Sequence, residues 1–290
     1  MKRILSLALC AALLCMGFAC AETLTDMCGR EVSLDAPVQR IVALTAADCE
    51  ILCALGAEDL LIGRGEYCDY PESVLEIPAV QSGSETNVEQ IMALQPDVVL
   101  MAKMEQSLEQ IAALEAAGIR VVESDAQDIS GVYEAITMIG KVVGRDAEAA
   151  ALIASIQADF ADLAAQETRK TVYFEVSPLE WGLWTAGAGT FMNEIAEIIG
   201  VKNAFADVNG WAQISEEQVL ARDPDFIVTI TMYADGAGSV DEIMSRAGWQ
   251  GLKAVQNGGV IRVDSNEISR PGPRLASAAK KLSELIADNG

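Results

Sequence analysis

The chain contains no histidine, and this absence limits the chemistry that its other side chains could perform. Without an imidazole it cannot build a Ser-His-Asp or Cys-His catalytic arrangement. Zinc sites with histidine ligands and histidine-ligated haem are excluded for the same reason. Carboxylates could still act in pairs as general acid and base, and the chain has 43 Asp and Glu residues. No phosphate-cradling glycine loop accompanies them. The residue types therefore favour binding, with an enzyme as the less favoured alternative.

Cysteine is the remaining residue type with strong metal or redox chemistry. Of the seven cysteines, three lie within the first twenty residues. Cys49 and Cys53 are one helical turn apart in an apolar stretch, which predicts small core residues. Cys28 and Cys68 are single, whereas a four-thiolate zinc site needs two close pairs. We therefore expect no metal centre and no resident cofactor. A disulfide is compatible with export, but the sequence assigns no partners.

Length and net charge indicate how many domains the chain forms and which partners it can bind. The chain has 290 residues, of which 51% are hydrophobic, so two domains or lobes with a packed core are expected. Its formal net charge is −23. Such a charge argues against a partner that is duplex nucleic acid, which requires a basic surface, and against a polybasic membrane-surface protein.

The N-terminal segment has the pattern of a secretory signal peptide. Lys2 and Arg3 are followed by an uncharged apolar run through residue 21, which ends in Ala-Cys-Ala. These features predict export with cleavage after Ala21. Two alternatives stay open. One is a membrane anchor, because the run is just long enough to span a bilayer. The other is lipid attachment at Cys20, although Gly17 stands where lipoprotein signals usually carry an aliphatic residue.

An internal repeat indicates the fold class. The sequence EQIMALQPDVVL at residues 89–100 recurs without a gap as EQVLARDPDFIV at residues 217–228. Each copy predicts a short helix, a Pro-Asp turn and a buried strand. A glycine-terminated helix and a later strand also recur in the two halves. The chain is therefore predicted to be α/β, with two lobes that each contain a mostly parallel sheet flanked by helices.

A helical stretch separates the two halves. Residues 131–143 have helical apolar spacing, and Gly144 ends that helix. Asp146 is then expected to cap a long helix that runs to Gln166, roughly 30 Å at about 1.5 Å per residue. This length predicts one long bridging helix, with an ordinary surface helix as the alternative. The expected divisions are a signal peptide (1–21), an N-terminal lobe (22–130), a helical segment (131–168) and a C-terminal lobe (169–290).

The order of several short motifs resembles the class III, helical-backbone substrate-binding proteins of ABC importers for cobalamin, haem and iron–siderophores. The motifs are RIVAL (40–44), YCDYP (67–71), NVE (87–89), PD (96–97), WTAG (184–187), WAQIS (211–215) and RPGPR (270–274). The YCDYP segment is most similar to the cobalamin-binding branch. The resemblance implies an exported, non-enzymatic receptor that delivers its ligand to an ABC permease dimer. We expect it to be a monomer. An adhesin on the same fold is a further alternative.

The resemblance also implies a set of ligand-binding residues in a cleft between the lobes. The set contains Tyr67, Trp184, Trp211, Asn266 and Arg270. Aromatic faces suit a broad, mostly apolar corrin ring, and Arg offers donors to the amides of its rim. Each residue also has a simpler interpretation: a turn-stabilising hydroxyl for the tyrosine, core packing for the tryptophans and a surface ion pair for the arginine.

Two departures from the cobalamin-binding branch keep the ligand open. That branch has a tryptophan shortly before its Asn-x-Glu motif, where this chain has SGSET at residues 82–86, and it has an acidic residue at the position of Asn266. Another corrinoid, an iron–siderophore or haem are the alternatives. Few basic residues lie near the motifs, which favours a neutral ligand over an anionic siderophore. Haem would need an axial Tyr, Met or Cys, such as Cys68.

Glu89 and Glu217 occupy equivalent positions of the repeat, one in each lobe. In the resembling proteins, such glutamates dock the two lobes onto arginines of the permease dimer. A single exposed ion pair contributes only about 0.2–1 kcal/mol, so these charges would mainly orient and steer the complex. The simpler interpretation is a solvated glutamate that the helix dipole favours.

Overall fold

The computed structural model describes residues 22–83, 85–104, 107–163, 168–230 and 238–289. The predicted signal segment and Cys20 lie outside these residues. Within the described ranges, no helix has both the length and the apolar character needed to cross a bilayer.

The first lobe contains a five-stranded, all-parallel sheet preceded by an antiparallel pair. The strands are β1 (Glu22–Thr25), β2 (Glu31–Leu34), β3 (Ile41–Ala43), β4 (Leu61–Gly65), β5 (Ala79–Val80), β6 (Val98–Ala102) and β7 (Arg120–Ser124). The helices are α1 (Ala46–Ala54), α2 (Val88–Leu94) and α3 (Ser107–Ala116). The order across the parallel sheet is β5-β4-β3-β6-β7. Connections run outward from β3 in both directions, which opens a crevice at the carboxyl edge of the sheet.

Two helices connect the lobes, α4 (Ile129–Val143) and α5 (Asp146–Asp162). The carboxylate of Asp128 accepts the Gly131 N–H at 2.7 Å, so α4 begins two residues earlier than predicted. Gly144 ends it in the left-handed conformation, at φ 65°, as expected.

The capping prediction for α5 is wrong. Arg145 takes the N-cap position without a side-chain hydrogen bond, and Asp146 is the first helical residue. The helix has 17 residues, or about 25 Å, and ends at Asp162. Its predicted end at Gln166 lies outside the described residues.

The second lobe contains a four-stranded parallel sheet and a separate antiparallel pair. Its strands are β8 (Thr171–Glu175), β9 (Trp184–Ala186), β10 (Lys202–Asn203), β11 (Trp211–Gln213), β12 (Phe226–Thr229) and β13 (Val260–Arg262). Its helices are α6 (Phe191–Ile198), α7 (Glu216–Arg222), α8 (Val240–Ser245), α9 (Lys253–Gln256), α10 (Ser265–Ile268) and α11 (Leu275–Asp288). The parallel sheet has the order β10-β8-β12-β13, and β9 pairs with β11.

The predicted repeat is present in three dimensions. The side chains of Asn87 and Ser215 accept hydrogen bonds from the third residue of α2 and α7, respectively. Both helices end on a non-glycine residue in the left-handed region, Gln95 at φ 50° and Asp223 at φ 45°. Each is followed by proline, which cannot continue the helix. The duplicated sequence therefore produces the same strained helix end twice.

The aspartate of each Pro-Asp turn anchors the first strand of its sheet. An Asp97 oxygen accepts the backbone N–H groups of Gln39 and Arg40 at 2.8 and 3.0 Å, just before β3. An Asp225 oxygen accepts the N–H and hydroxyl of Thr171, at the start of β8, at 2.8 and 3.0 Å. These contacts fix the register between neighbouring strands in both lobes.

One continuous apolar core joins the lobes. It includes Ile41 and Leu100 of the first sheet, Ile139 of α4, Phe160 of α5 and Phe174 of the second sheet, all buried. Helix α5 also packs against α4 and α11. A large displacement between the lobes would expose part of this core to water, so the structure favours limited movement of one lobe relative to the other.

Candidate functional site

The loops that follow β3, β4, β6 and β7 meet at the carboxyl edge of the first sheet. A cavity of about 270 Å³ opens there and is lined by Thr45, Lys103, Asp125 and residues 269–271 of the C-terminal part. The strand order brings these segments together although they are far apart in sequence. A further cavity of about 560 Å³, by contrast, is lined by none of the predicted ligand residues.

Asp48 forms part of the lining of the 270 Å³ cavity and is 1% exposed. Its Oδ2 accepts hydrogen bonds from the Thr45 hydroxyl at 2.6 Å and the Ser124 hydroxyl at 3.1 Å. Burial raises the pKa of Asp48, and the two hydroxyl donors only partly oppose that effect. The cavity therefore holds a carboxyl group that is harder to ionise than an exposed aspartate.

Tyr67 lines two cavities and is 59% exposed. One has a volume of about 210 Å³ and includes Met101 and Met104 in its lining, and the other has about 640 Å³. Gly65 precedes the tyrosine by two residues. A Cβ at this position would lie 2.3 Å from the Leu44 carbonyl oxygen, so only glycine permits this approach of β4 to the end of β3.

Arg270 holds the loop that carries Tyr67. Its Nη1 contacts Asp69 at 2.6 Å and Glu50 at 3.1 Å, and its Nη2 donates to the Tyr67 carbonyl oxygen at 3.1 Å. Burial opposes the charge of the guanidinium, but the two carboxylates outweigh it and raise its pKa. Arg270 thus forms ion pairs, as its simpler interpretation proposed, but its pair with Glu50 is mostly buried and not on the surface. Contact between Arg270 and a ligand stays a prediction.

Arg274 strengthens the same connection. It donates two hydrogen bonds to Glu50, at 2.8 and 2.6 Å, and its guanidinium lies 4.1 Å from the centre of the Tyr70 ring. Arg270 and Arg274, in the segment after β13, therefore connect this segment to both α1 and the YCDYP segment of the first lobe.

The 640 Å³ cavity brings together three of the predicted ligand residues, Tyr67, Asn266 and Arg270. The Asn266 amide donates to Asp69 at 3.0 Å across the cavity. The rest of the lining is strongly polar and comprises Glu66, Asp69, Arg262, Val263, Asp264 and Ser265. It is therefore suited to polar groups at the edge of a ligand.

The two predicted tryptophans lie on the antiparallel pair of the second lobe. In the register, Trp184 is opposite Gln213 and Trp211 is opposite Ala186. Paired residues share a face, so both indoles belong to the same face. Trp184 is 39% exposed, whereas Trp211 is half-buried against Phe191, with ring centres 5.4 Å apart. Neither tryptophan lines the cavities around Tyr67, and their contact with ligand stays a prediction.

A hydrogen-bonded chain that the sequence reasoning missed links Trp211 to the first lobe. Lys103 contacts Asp125 at 2.9 Å, and Gln127 donates to Asp125 at 2.7 Å. The Trp211 indole N–H then donates to the Gln127 side-chain oxygen at 3.1 Å. The sequence feature that could have indicated these hydrogen bonds is the polar segment directly after β7. Gln127 lines the 270 Å³ cavity, and so the chain joins that cavity to the second lobe.

The other two tryptophans differ in environment. Trp249 is fully buried, and its indole donates to Glu216 at 2.9 Å, which makes it a core residue. Trp181 is exposed to solvent.

The four cysteines within the described residues, Cys28, Cys49, Cys53 and Cys68, form no disulfide. Cys49 is buried, as predicted, and Cys53 is partly buried against the core. Hydrogen bonding to the Cys53 and Cys68 thiols raises the pKa of Cys49 far above its usual value. Across the described ranges, no group of three or more Cys, Asp or Glu is placed to hold a metal ion.

Glu89 and Glu217 both lie in the first turn of their helices and are exposed. Each is the second helical residue, two positions after an N-cap residue, Asn87 or Ser215, whose side chain accepts a backbone hydrogen bond. The Ser215 side chain lowers the pKa of Glu217 by hydrogen bonding. The two carboxylates are thus equivalent in helix position as well as in sequence.

Comparison with known proteins identifies the family. The periplasmic binding protein family matches residues 41–267. The chain is 35% identical to an uncharacterized ABC transporter substrate-binding lipoprotein of Bacillus subtilis, over 91% of this chain and 85% of the relative. It is 29% identical to a cobalamin-binding protein of Halobacterium salinarum, over 92% and 75%. An ABC-type Fe3+-hydroxamate transport system structure from Saccharomonospora viridis superposes with a TM-score of 0.76 at 26% identity, over 91% and 98%.

The chain therefore belongs to the periplasmic binding protein family, in the class III group that serves ABC importers. It is a substrate-binding protein and not an enzyme, which confirms the expectation drawn from its residue types. A small-molecule ligand and a membrane transporter are its partners.

Proposed function

We propose that this protein captures cobalamin or a related corrinoid in the interlobe cleft and delivers it to the permease dimer of an ABC importer. The observation that supports this most is the convergence of Tyr67, Asn266 and Arg270 on one cavity between the lobes. The exposed Tyr67 ring offers an apolar face to the ring system of a corrinoid. The polar lining offers donors and acceptors to its peripheral amides. The cobalamin-binding relative points to the same ligand class.

The second candidate is an iron chelate, as the resemblance to the hydroxamate transport structure suggests. The charge of the cavity argues against an anionic chelate. Glu66, Asp69 and Asp264 face only two arginines in the lining, Arg262 and Arg270. Arg270 is already paired with the carboxylates of Glu50 and Asp69. An uncharged ligand avoids this repulsion.

Delivery requires that both lobes engage the transporter. We propose that Glu89 and Glu217 contact basic residues on the two halves of the permease dimer. Their equivalent positions on α2 and α7 match a partner with twofold symmetry. Because both are exposed and each pair is weak, they set the orientation of the complex.

We also propose that the first 21 residues direct export. The lipoprotein relative favours attachment at Cys20 over cleavage after Ala21. Mass spectrometry of the mature N-terminus separates the two outcomes, since a diacylated Cys20 and an unmodified Glu22 differ greatly in mass.

The ligand proposal is tested by gel filtration of purified protein after incubation with cobalamin, haem or a ferric hydroxamate. We expect a coloured, equimolar complex with cobalamin. Retention of the hydroxamate or haem and not of cobalamin would show that the ligand is an iron chelate, the second candidate.

The docking role is tested by the Glu89→Gln/Glu217→Gln variant, which should bind ligand normally and lose uptake. Normal uptake by this variant would refute the docking role.

A further inference from the structure

Helix α2 exposes a stripe of three side chains on one face. Glu89, Met92 and Ala93 are all exposed. Met92 and Ala93 follow Glu89 by three and four residues, so both lie one helical turn further along the same face. Met92 is 41% exposed although it is a large apolar residue. Ile91, on the opposite side of the helix, is fully buried and fixes which face is turned outward.

Helix α7 exposes the matching stripe in the second lobe. Glu217, Leu220 and Ala221 are exposed at the same helix positions, and Leu220 is 38% exposed. Val219, which corresponds to Ile91, is fully buried. Both lobes therefore present a carboxylate, then a large apolar side chain, then an alanine, in the same orientation relative to their own cores.

We infer that Met92 and Leu220, with the alanines beside them, form a two-part apolar docking surface for the ABC permease dimer. This inference rests on the proposed function and adds to it. The glutamates orient the complex, while the apolar side chains lose their water-exposed surface when the permease covers them. The alanines leave room for a partner to approach each helix closely.

The charge of the molecule determines which partner fits. The whole chain carries a net charge of −23, and each stripe includes a carboxylate. A second copy of this protein would bring like charges together at both stripes. A membrane protein with a basic residue and an apolar pocket at each of two symmetry-related sites is complementary in charge, in hydrophobicity and in number.

Site-specific photo-crosslinking in the cells that produce the protein tests the contact directly. The full chain carries a photoreactive phenylalanine derivative at position 92, at position 220, or at position 75 as a control. Leu75 is likewise an exposed apolar residue of the first lobe, at 50% exposure. Positions 92 and 220 should both cross-link to one polytopic membrane protein, and position 75 should not. Cross-links to a second copy of this chain, or none at position 92 or 220, would overturn the inference.

A binding measurement separates the apolar contribution from that of the glutamates. Membrane vesicles that contain the membrane protein identified by cross-linking, without any cross-linked partner, are used for the measurement. They are titrated with the wild-type chain and with three variants: Met92→Gln/Leu220→Gln, Leu75→Gln and Glu89→Gln/Glu217→Gln. We expect Met92→Gln/Leu220→Gln to bind about tenfold more weakly, with unchanged circular dichroism and ligand binding, and Leu75→Gln to match the wild type. If the glutamate variant loses binding while the apolar variant keeps it, the inference fails and the proposed docking role stands.

Discussion

Replacing Glu50 by glutamine removes the carboxylate that two arginines share at the junction between α1 and the segment after β13. The Glu50 side chain is 2% exposed, and it contacts Arg270 at 3.1 Å and Arg274 at 2.6 Å. Breaking a buried ion pair costs about 3–5 kcal/mol. The two arginine side chains retain 12% and 16% exposure and keep contacts with Asp69 and Glu267, so part of this cost is avoided. We expect a loss of about 2–3 kcal/mol in the free energy of unfolding.

Asp69 provides the matched comparison because it pairs with the same arginine but is 43% exposed. The Asp69→Asn variant should lose about 1 kcal/mol or less. Urea unfolding at neutral pH measures both variants. With an m-value of about 3 kcal/mol/M, Glu50→Gln should lower the midpoint by roughly 0.7–1 M. Equal midpoints for the two variants would show that burial does not govern the strength of this junction.

Two further predictions concern the 270 Å³ cavity. Asp48 has a raised pKa, so from about pH 4 upward the folded protein holds a proton that the unfolded chain has released, and stability falls as the pH rises towards the folded pKa. Asp48→Asn should lack this slope in urea unfolding across that range; a slope equal to that of the wild type would refute the assignment. Gln127→Ala removes the acceptor of the Trp211 indole and should weaken cobalamin binding by about 3–10-fold, at roughly 1 kcal/mol for one hydrogen bond. Unchanged affinity in a fluorescence titration would show that Gln127 does not position Trp211.

The repeat and the two helices that connect the lobes could be predicted because their signals are local. Helix, Pro-Asp turn and buried strand follow one another within twelve residues, and the same string occurs twice. The left-handed helix ends at Gln95 and Asp223 could not be predicted, because neither residue type prefers that conformation as glycine does. The prediction that Asp146 caps α5 was wrong because the helix dipole also favours an acidic residue in the first turn, where no capping hydrogen bond is made.

The candidate site was harder to derive because its contacts join distant parts of the chain. Arg270 and Arg274 meet Glu50 more than two hundred residues away, and Glu50 lies in an apolar stretch that indicates only a core helix. The Gln127–Trp211 hydrogen bond likewise depends on the relative position of the lobes. Sequence motifs identified which residues to consider, and the packing of the C-terminal segment determined which of them meet.

Calorimetric titration of cobalamin into the wild-type chain and into Tyr67→Ala, Trp184→Ala and Trp211→Ala variants tests the ligand site most directly. Trp181→Ala, which alters another exposed tryptophan, serves as the control. The wild type and the control should bind one equivalent with equal affinity, and each site variant should lose about 1–3 kcal/mol, or roughly 5–150-fold. Wild-type affinity in all three site variants would contradict the assignment of Tyr67, Trp184 and Trp211 to ligand binding.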